Sequence, residues 1–358
     1  MSSAKAFCPD WASAPGETIA DVLRERNISV EEFAERIGKT RAEAMDLLRG
    51  RLAITIGLAR RLEEVLGGSI EFWMARDFQY RQQIAEPGEA TNAWVKELPL
   101  ADMVRFGWLK GAPKRSEELA ACLKFFDVPN VAVWHRVYAP LEQKFLFKKS
   151  PSFESRPAAV AAWLRQGEIE AEERRCAPWN AQGFEAALAS IRSLTREKDP
   201  KHFVPTLQKT CAEMGVAVAI VRSPSGCAAS GATRFMAEKK ALLLLSFRYL
   251  SDDQFWFSFF HEAGHLLLHG HQDVFIEGLE AENSLAESEA NEFAAGILIP
   301  RQHRPELLRL RQNKYDLVRF ARRMGVSPGI IVGQLQYYGR IKPNHFNGLK
   351  RRYQWGQS

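Results

Sequence analysis

The 358-residue sequence contains no run of 18 or more apolar residues, so nothing in it reads as a membrane-spanning helix. Met1 to Pro15 lack the charged start, apolar middle and small-residue cleavage site of a secretory signal, and a cytoplasmic location is the expectation. Cysteine is scarce and unpaired: Cys8, Cys122, Cys176, Cys211 and Cys227 are scattered and never form C-x-x-C. That pattern argues against a disulfide framework and a thiolate metal centre. No G-x-S-x-G elbow, P-loop or dinucleotide fingerprint occurs, which leaves serine hydrolase, nucleotide triphosphatase and nicotinamide-enzyme readings without support. Internal repeats and low-complexity tracts are missing as well. What is present is 46% hydrophobic residues, enough for the cores of two or three domains. A net charge of +6 is compatible with nucleic-acid binding, yet much of the excess sits in Arg319 to Arg323 and Lys350 to Arg352, so charge alone decides nothing.

The texture of the chain predicts a mainly α protein with a small β-sheet (α+β) in four stretches: a tail over 1–15, a helix-turn-helix bundle over 16–85, a helical middle region over 86–200 and a C-terminal α+β domain over 201–358. In the bundle, Ile19, Val22 and Leu23 mark one helix. Ser29 with Glu32, and Thr40 with Glu43, have capping-box spacing ahead of two more. Gly38 and Gly50 stop those helices, and Gly67-Gly68 stops a fourth carrying Leu58, Leu62, Val65 and Leu66. The third helix, Arg41 to Arg49, is the expected recognition element.

These residues resemble the XRE-type helix-turn-helix of HigA-like antitoxins. The likeness rests on Pro15-Gly16-Glu17-Thr18, Phe33 to Gly38 and Glu71 to Met74. Where such domains present Gln, Ser and Arg to DNA, this chain has Ala42, Met45 and Asp46. Lys39, Thr40, Arg41, Arg49 and Arg51 remain to meet phosphates. The alternative is a bundle kept for dimerisation or partner docking.

Beyond a linker at Glu86 to Glu89, Trp94, Leu98, Leu100, Val104 and Trp108 are expected on one face, and Ala158 to Leu164 with Glu168 to Arg175 on an exposed helix. Short apolar runs at Val216 to Val221 and Ala241 to Phe247 read as strands. Gly231-Ala232-Thr233-Arg234 between them reads as a loop, or as the approach to an edge strand for a bound peptide with Arg234 or Arg248 beside a carbonyl.

The chemical centre is the HEAGH stretch. Ser251 and Gln254 have capping-box spacing, so a helix is expected from Ser251 through His269 to Gly270. Its phenylalanines and leucines occupy nearly every face, as on a buried helix, so its polar residues need partners. His261 and His265, four apart, project from one side and can reach a single metal ion. Glu262 sits where a carboxylate can take a proton from a water held at that metal. A catalytic zinc keeps three protein ligands, so a third must lie downstream. Glu287 to Pro300 reads as a second helix on which Glu287 supplies that ligand and Asn291 orients an imidazole, with Glu289 the competing carboxylate. His269 is a further turn along, as a supporting residue or ligand, and His271 lies past the helix end. Tyr249 and His303 are candidate transition-state donors.

These two motifs, His261 to Gly270 and Glu287 to Pro300, followed by Phe320 to Ile330, resemble the ImmA/IrrE metallopeptidases over roughly residues 200–345. Ile299 stands where Met is frequent. The resemblance implies a zincin-like domain with His261, His265 and Glu287 as zinc ligands and Glu262 as general base. It implies an endopeptidase that cleaves a regulatory protein such as a helix-turn-helix repressor. Manganese is the other metal that two imidazoles and a carboxylate suit. The rival expectation is a HigA-like antitoxin or DNA-binding regulator whose peptidase domain senses a partner, with a toxin, DNA or a second copy of the chain as that partner.

Overall fold

The computed structural model describes residues 14–84, 89–138, 156–237, 239–270, 275–276 and 285–355. The chain divides into two compact units, one of Met1–Lys96 with Ala112–Val137 and one of Glu97–Gly111 with Tyr138–Ser358. The stretch 86–200 is shared between them. Among the described residues, no helix is long and apolar enough to cross a membrane. The architecture is mainly α with one small sheet, as expected.

The first unit starts with five helices: α1 (Pro15–Glu25), α2 (Val30–Arg36), α3 (Arg41–Leu48), α4 (Ile56–Leu66) and α5 (Ile70–Ile84). The starts of α2, α3 and α4 are written in the local chemistry. Ser29 accepts the Glu32 N–H, Thr55 accepts the Leu58 N–H, and Thr40 with Glu43 forms a complete capping box. Ile19, Leu23, Phe33, Ile37, Leu47, Leu58, Leu62 and Trp73 close the core between them. Beside this bundle, α6 (Glu89–Glu97), α8 (Glu118–Phe126) and α9 (131–138) bring Trp94, Phe126 and Trp134 within 5.5 to 6.1 Å of one another.

The middle stretch corrects two expectations. Pro99 separates α6 from α7 (Leu100–Arg105), because a proline cannot extend the preceding helix. Trp94 belongs to the first unit, and Leu98, Leu100, Val104 and Trp108 to the second. Ala158 to Leu164 lie on α10 (Pro157–Glu173) and are buried, not exposed. The run packs on the sheet: Gly167 has no room for a side chain beside Leu244, and the Trp163 indole N–H donates to the Val221 carbonyl.

After α11 (Ala181–Ser193) and α12 (Pro200–Ala212) comes a four-stranded sheet in the order β1-β3-β2-β4, of β1 (Val216–Ile220), β2 (Gly231–Ala237), β3 (Lys240–Leu245) and β4 (Phe275–Ile276). β3 runs parallel to β1 and antiparallel to β2. Gly231 to Ala237 is thus itself a strand, and β4 covers its outer side at Ala232 and Thr233. Alternation sends Ala241, Leu243 and Leu245 toward the core that holds Phe255, Trp256, Phe259, Phe260 and Ala263 of α13 (Asp252–Leu268). Burying each large side chain contributes roughly 1.5–3 kcal/mol, which is what anchors α13 against the sheet. α14 (Leu285–Leu298), α15 (Arg304–Arg309), α16 (Lys314–Met324) and α17 (Pro328–Tyr337) complete the unit.

Candidate metal centre

The helix that carries HEAGH begins one residue after Ser251, as expected, but not by the expected means. The Ser251 side chain makes no capping hydrogen bond. Asp252 does the work instead: Oδ1 accepts the backbone N–H of Asp253 and of Arg351, each at 3.0 Å, and Oδ2 accepts the Ser327 hydroxyl at 2.6 Å. Burial pushes the Asp252 carboxyl up, against the pull of those donors. Asp253 pairs with Lys350 at 2.6 Å, both side chains nearly enclosed. Two acids in the first turn suit the positive end of the helix, and they tie α13 to the C-terminal segment. Lys350 and Arg351 of the basic C-terminal cluster are thus structural; the Arg351 guanidinium also donates to the carbonyls of Thr195 and Glu197.

Along α13, Gly264 permits a close neighbour. A Cβ there would sit 3.1 Å from Phe293 Cδ1 and 3.3 Å from the Ala290 backbone. α14 therefore crosses α13 closely enough to set Glu287 beside the histidines. His261 Nε2 and His265 Nε2 are 3.0 Å apart, and they lie 3.4 and 3.3 Å from the two oxygens of Glu287. Exposure is 1% for each histidine, 0% for Glu262 and 7% for Glu287.

These distances fit a bound ion. Two ligands about 2.05 Å from one tetrahedral zinc stand about 3.3 Å apart, so two imidazoles and a carboxylate already hold the separations the ion needs. The protonation pattern agrees. His261 Nδ1 is 3.1 Å from Asn291 Oδ1; with the ring proton donated there, Nε2 presents its lone pair to the centre. Burial holds the His265 imidazole below its ordinary value, against the pull of Glu287. Burial also pushes Glu287 up, but the two imidazoles outweigh it and hold its carboxyl at about 2.

Several residues singled out from the sequence lie elsewhere. Glu289 is exposed, 3.8 Å from His269 Nδ1, and His269 Nε2 is 3.2 Å from the Ala286 carbonyl, so both stand outside the three-residue group. His271 lies outside the described residues. Tyr249 is about half exposed and capped by the Arg248 guanidinium, and His303 sits in the turn after α14 beside Gln302. Arg234 is bound to Glu168 and Arg248 to the Ala228 carbonyl. Sequence reasoning missed Asp252, Asp253 and Gly264; adjacent acids at the start of an apolar helix, and a glycine inside it, were the available signals.

In the first unit, Lys39 pairs with Glu43 at 2.8 Å, Thr40 holds the same carboxylate, and Arg41 reaches Glu31 at 2.6 Å. Arg49 is exposed at the far end of α3.

Comparison with known proteins adds two domain matches. Residues 214–335 match the IrrE N-terminal-like domain of peptidase family M78, and residues 19–73 match a helix-turn-helix family. The chain is also similar to the uncharacterized HTH-type transcriptional regulator YddM of Escherichia coli (strain K12), at 37% identity over 60 residues. That likeness covers 17% of this chain and 64% of the relative.

Proposed function

We propose that this chain, which joins a helix-turn-helix domain to an IrrE-type peptidase domain, is a zinc-dependent endopeptidase that cleaves a regulatory protein, a transcriptional repressor being the expected substrate. The observation that carries the reading is the convergence of His261, His265 and Glu287 at ligand-pair distances beside the fully buried Glu262. In this reading His261, His265 and Glu287 hold the metal. When bound, zinc supplies Lewis acidity, acidifying a water molecule and polarising the carbonyl of a peptide bond. Glu262 takes the proton of that water on a carboxylate oxygen and returns it to the departing amide nitrogen. Asn291 keeps His261 in the tautomer with Nε2 unprotonated, and the buried surroundings exclude bulk water. Manganese fits the same donor set.

The experiment is a trap. Glu262→Gln in the full chain, used as bait and followed by mass spectrometry, retains an uncleaved repressor under the peptidase reading. A second reading, a HigA-like antitoxin or DNA-binding regulator, is favoured by the helix-turn-helix match and by the likeness to a transcriptional regulator. It predicts capture of a small toxin instead, and operator binding through residues 16–85 with Lys39, Thr40, Arg41 and Arg49 at phosphates. Capture of the toxin with an intact wild-type substrate pool counts against proteolysis.

A further inference from the structure

Gly231 opens β2, and its place opposite Leu245 on β3 needs no left-handed backbone, so freedom of conformation does not explain the glycine. Space does. A Cβ on residue 231 would lie 2.5 Å from Glu262 Oε1, 2.7 Å from Cγ and 2.9 Å from Cδ. The overlap runs along the outer half of the Glu262 side chain rather than touching its tip alone. Because Glu262 is fully buried, the side chain has no solvent into which to swing. Strand alternation puts Thr233, also buried, on the same face as Gly231, and pairs the two with Leu243 and Leu245. Three filled positions therefore surround the one that lacks a side chain, and Glu262 crosses the strand there.

We propose that Gly231 is a positioning residue: the missing side chain is the slot in which the Glu262 carboxylate is held at the metal centre. The inference rests on the peptidase reading for its functional consequence, but the slot itself is a statement about two residues. The nearest atoms to a methyl group at 231 are all of Glu262 and none of His261, His265 or Glu287, so Gly231→Ala separates metal binding from proton transfer.

The test is a two-residue cycle on the full chain, Gly231→Ala in the native and in the Glu262→Ala background. Thermal melting, zinc content and cleavage of fluorescein-labelled casein are read in each. Gly231→Ala is expected to lower the melting temperature by about 3–6 °C in the native background. With Glu262 truncated, the same substitution should cost nothing. Zinc stays at about one per chain, and kcat falls by about 100-fold or more with KM within about twofold. Equal melting loss in both backgrounds, or no loss in either, overturns the proposal, as does a wild-type kcat in Gly231→Ala. A zinc-loaded native chain that cuts neither casein nor the protein retained by the Glu262→Gln trap, with the melting cycle still coupled, refutes the peptidase reading and leaves the slot standing.

Discussion

α3 and α13 carry the two polar signatures that stand out in this sequence, and they place those residues in opposite surroundings. At the start of α3, Lys39, Thr40, Arg41 and Glu43 lie at or near the surface and pair with close neighbours on the same bundle, Lys39 and Thr40 with Glu43, Arg41 with Glu31. On α13, His261, Glu262 and His265 are enclosed, and the two imidazoles meet Glu287 and Asn291 of α14, more than twenty residues away. An exposed ion pair is worth little and can form wherever the spacing allows. Enclosing two imidazoles beside two carboxylates is costly unless something balances them. Burial together with convergence therefore points to chemistry, whereas the α3 groups are accounted for by helix capping and surface pairing.

Substitutions sharpen or break that contrast. Glu262→Gln should lower the rate of proteolysis by about 10²- to 10⁴-fold at unchanged zinc content, measured by single-turnover cleavage of the trapped substrate. Retained activity would put the proton-transfer group elsewhere. Lys350→Met leaves Asp253 enclosed without its cation and should destabilise the second unit by about 3–5 kcal/mol in chemical denaturation. Asn291→Ala releases the His261 ring and should weaken zinc affinity or activity by about 10- to 100-fold, read by competition with a chelator.

The first unit should respond far less. Thr40→Ala removes one half of the capping box and should cost about 1 kcal/mol of helix stability, with zinc content untouched. Glu43, held at about 2 by Lys39 and by the N–H and hydroxyl of Thr40, has a depressed carboxyl. Its contribution is complete above the unfolded value of 4.5 and is lost as pH falls through about 2. Glu43→Gln should therefore melt below the native chain at pH 7 and coincide with it near pH 2, followed by circular dichroism. A metal-centre effect from either α3 substitution would break the contrast.

The features legible in the sequence are those whose causes are local. Caps at Ser29 and Thr40 sit three residues from the N–H they accept, and the four-residue spacing of His261 and His265 is a property of any helix. The order of Glu287 and Asn291 along α14 was legible for the same reason. What failed depended on distant partners. The burial of Ala158 to Leu164 follows from the sheet they cover, and Ser251 gives up its capping role because Ser327 and Arg351 bring Asp252 into the first turn. Pro99 was a local signal passed over in favour of periodicity. Gly231 read as loop because its meaning lies in a side chain thirty-one positions on, where only the packing of β2 against α13 brings the two together.

The most direct test of the central claim is elemental analysis of the purified full chain. About one zinc per chain is expected in the native protein and in Glu262→Gln, with clear loss in Glu287→Gln. A native chain that takes up no zinc, with His261, His265 and Glu287 all intact, would contradict it.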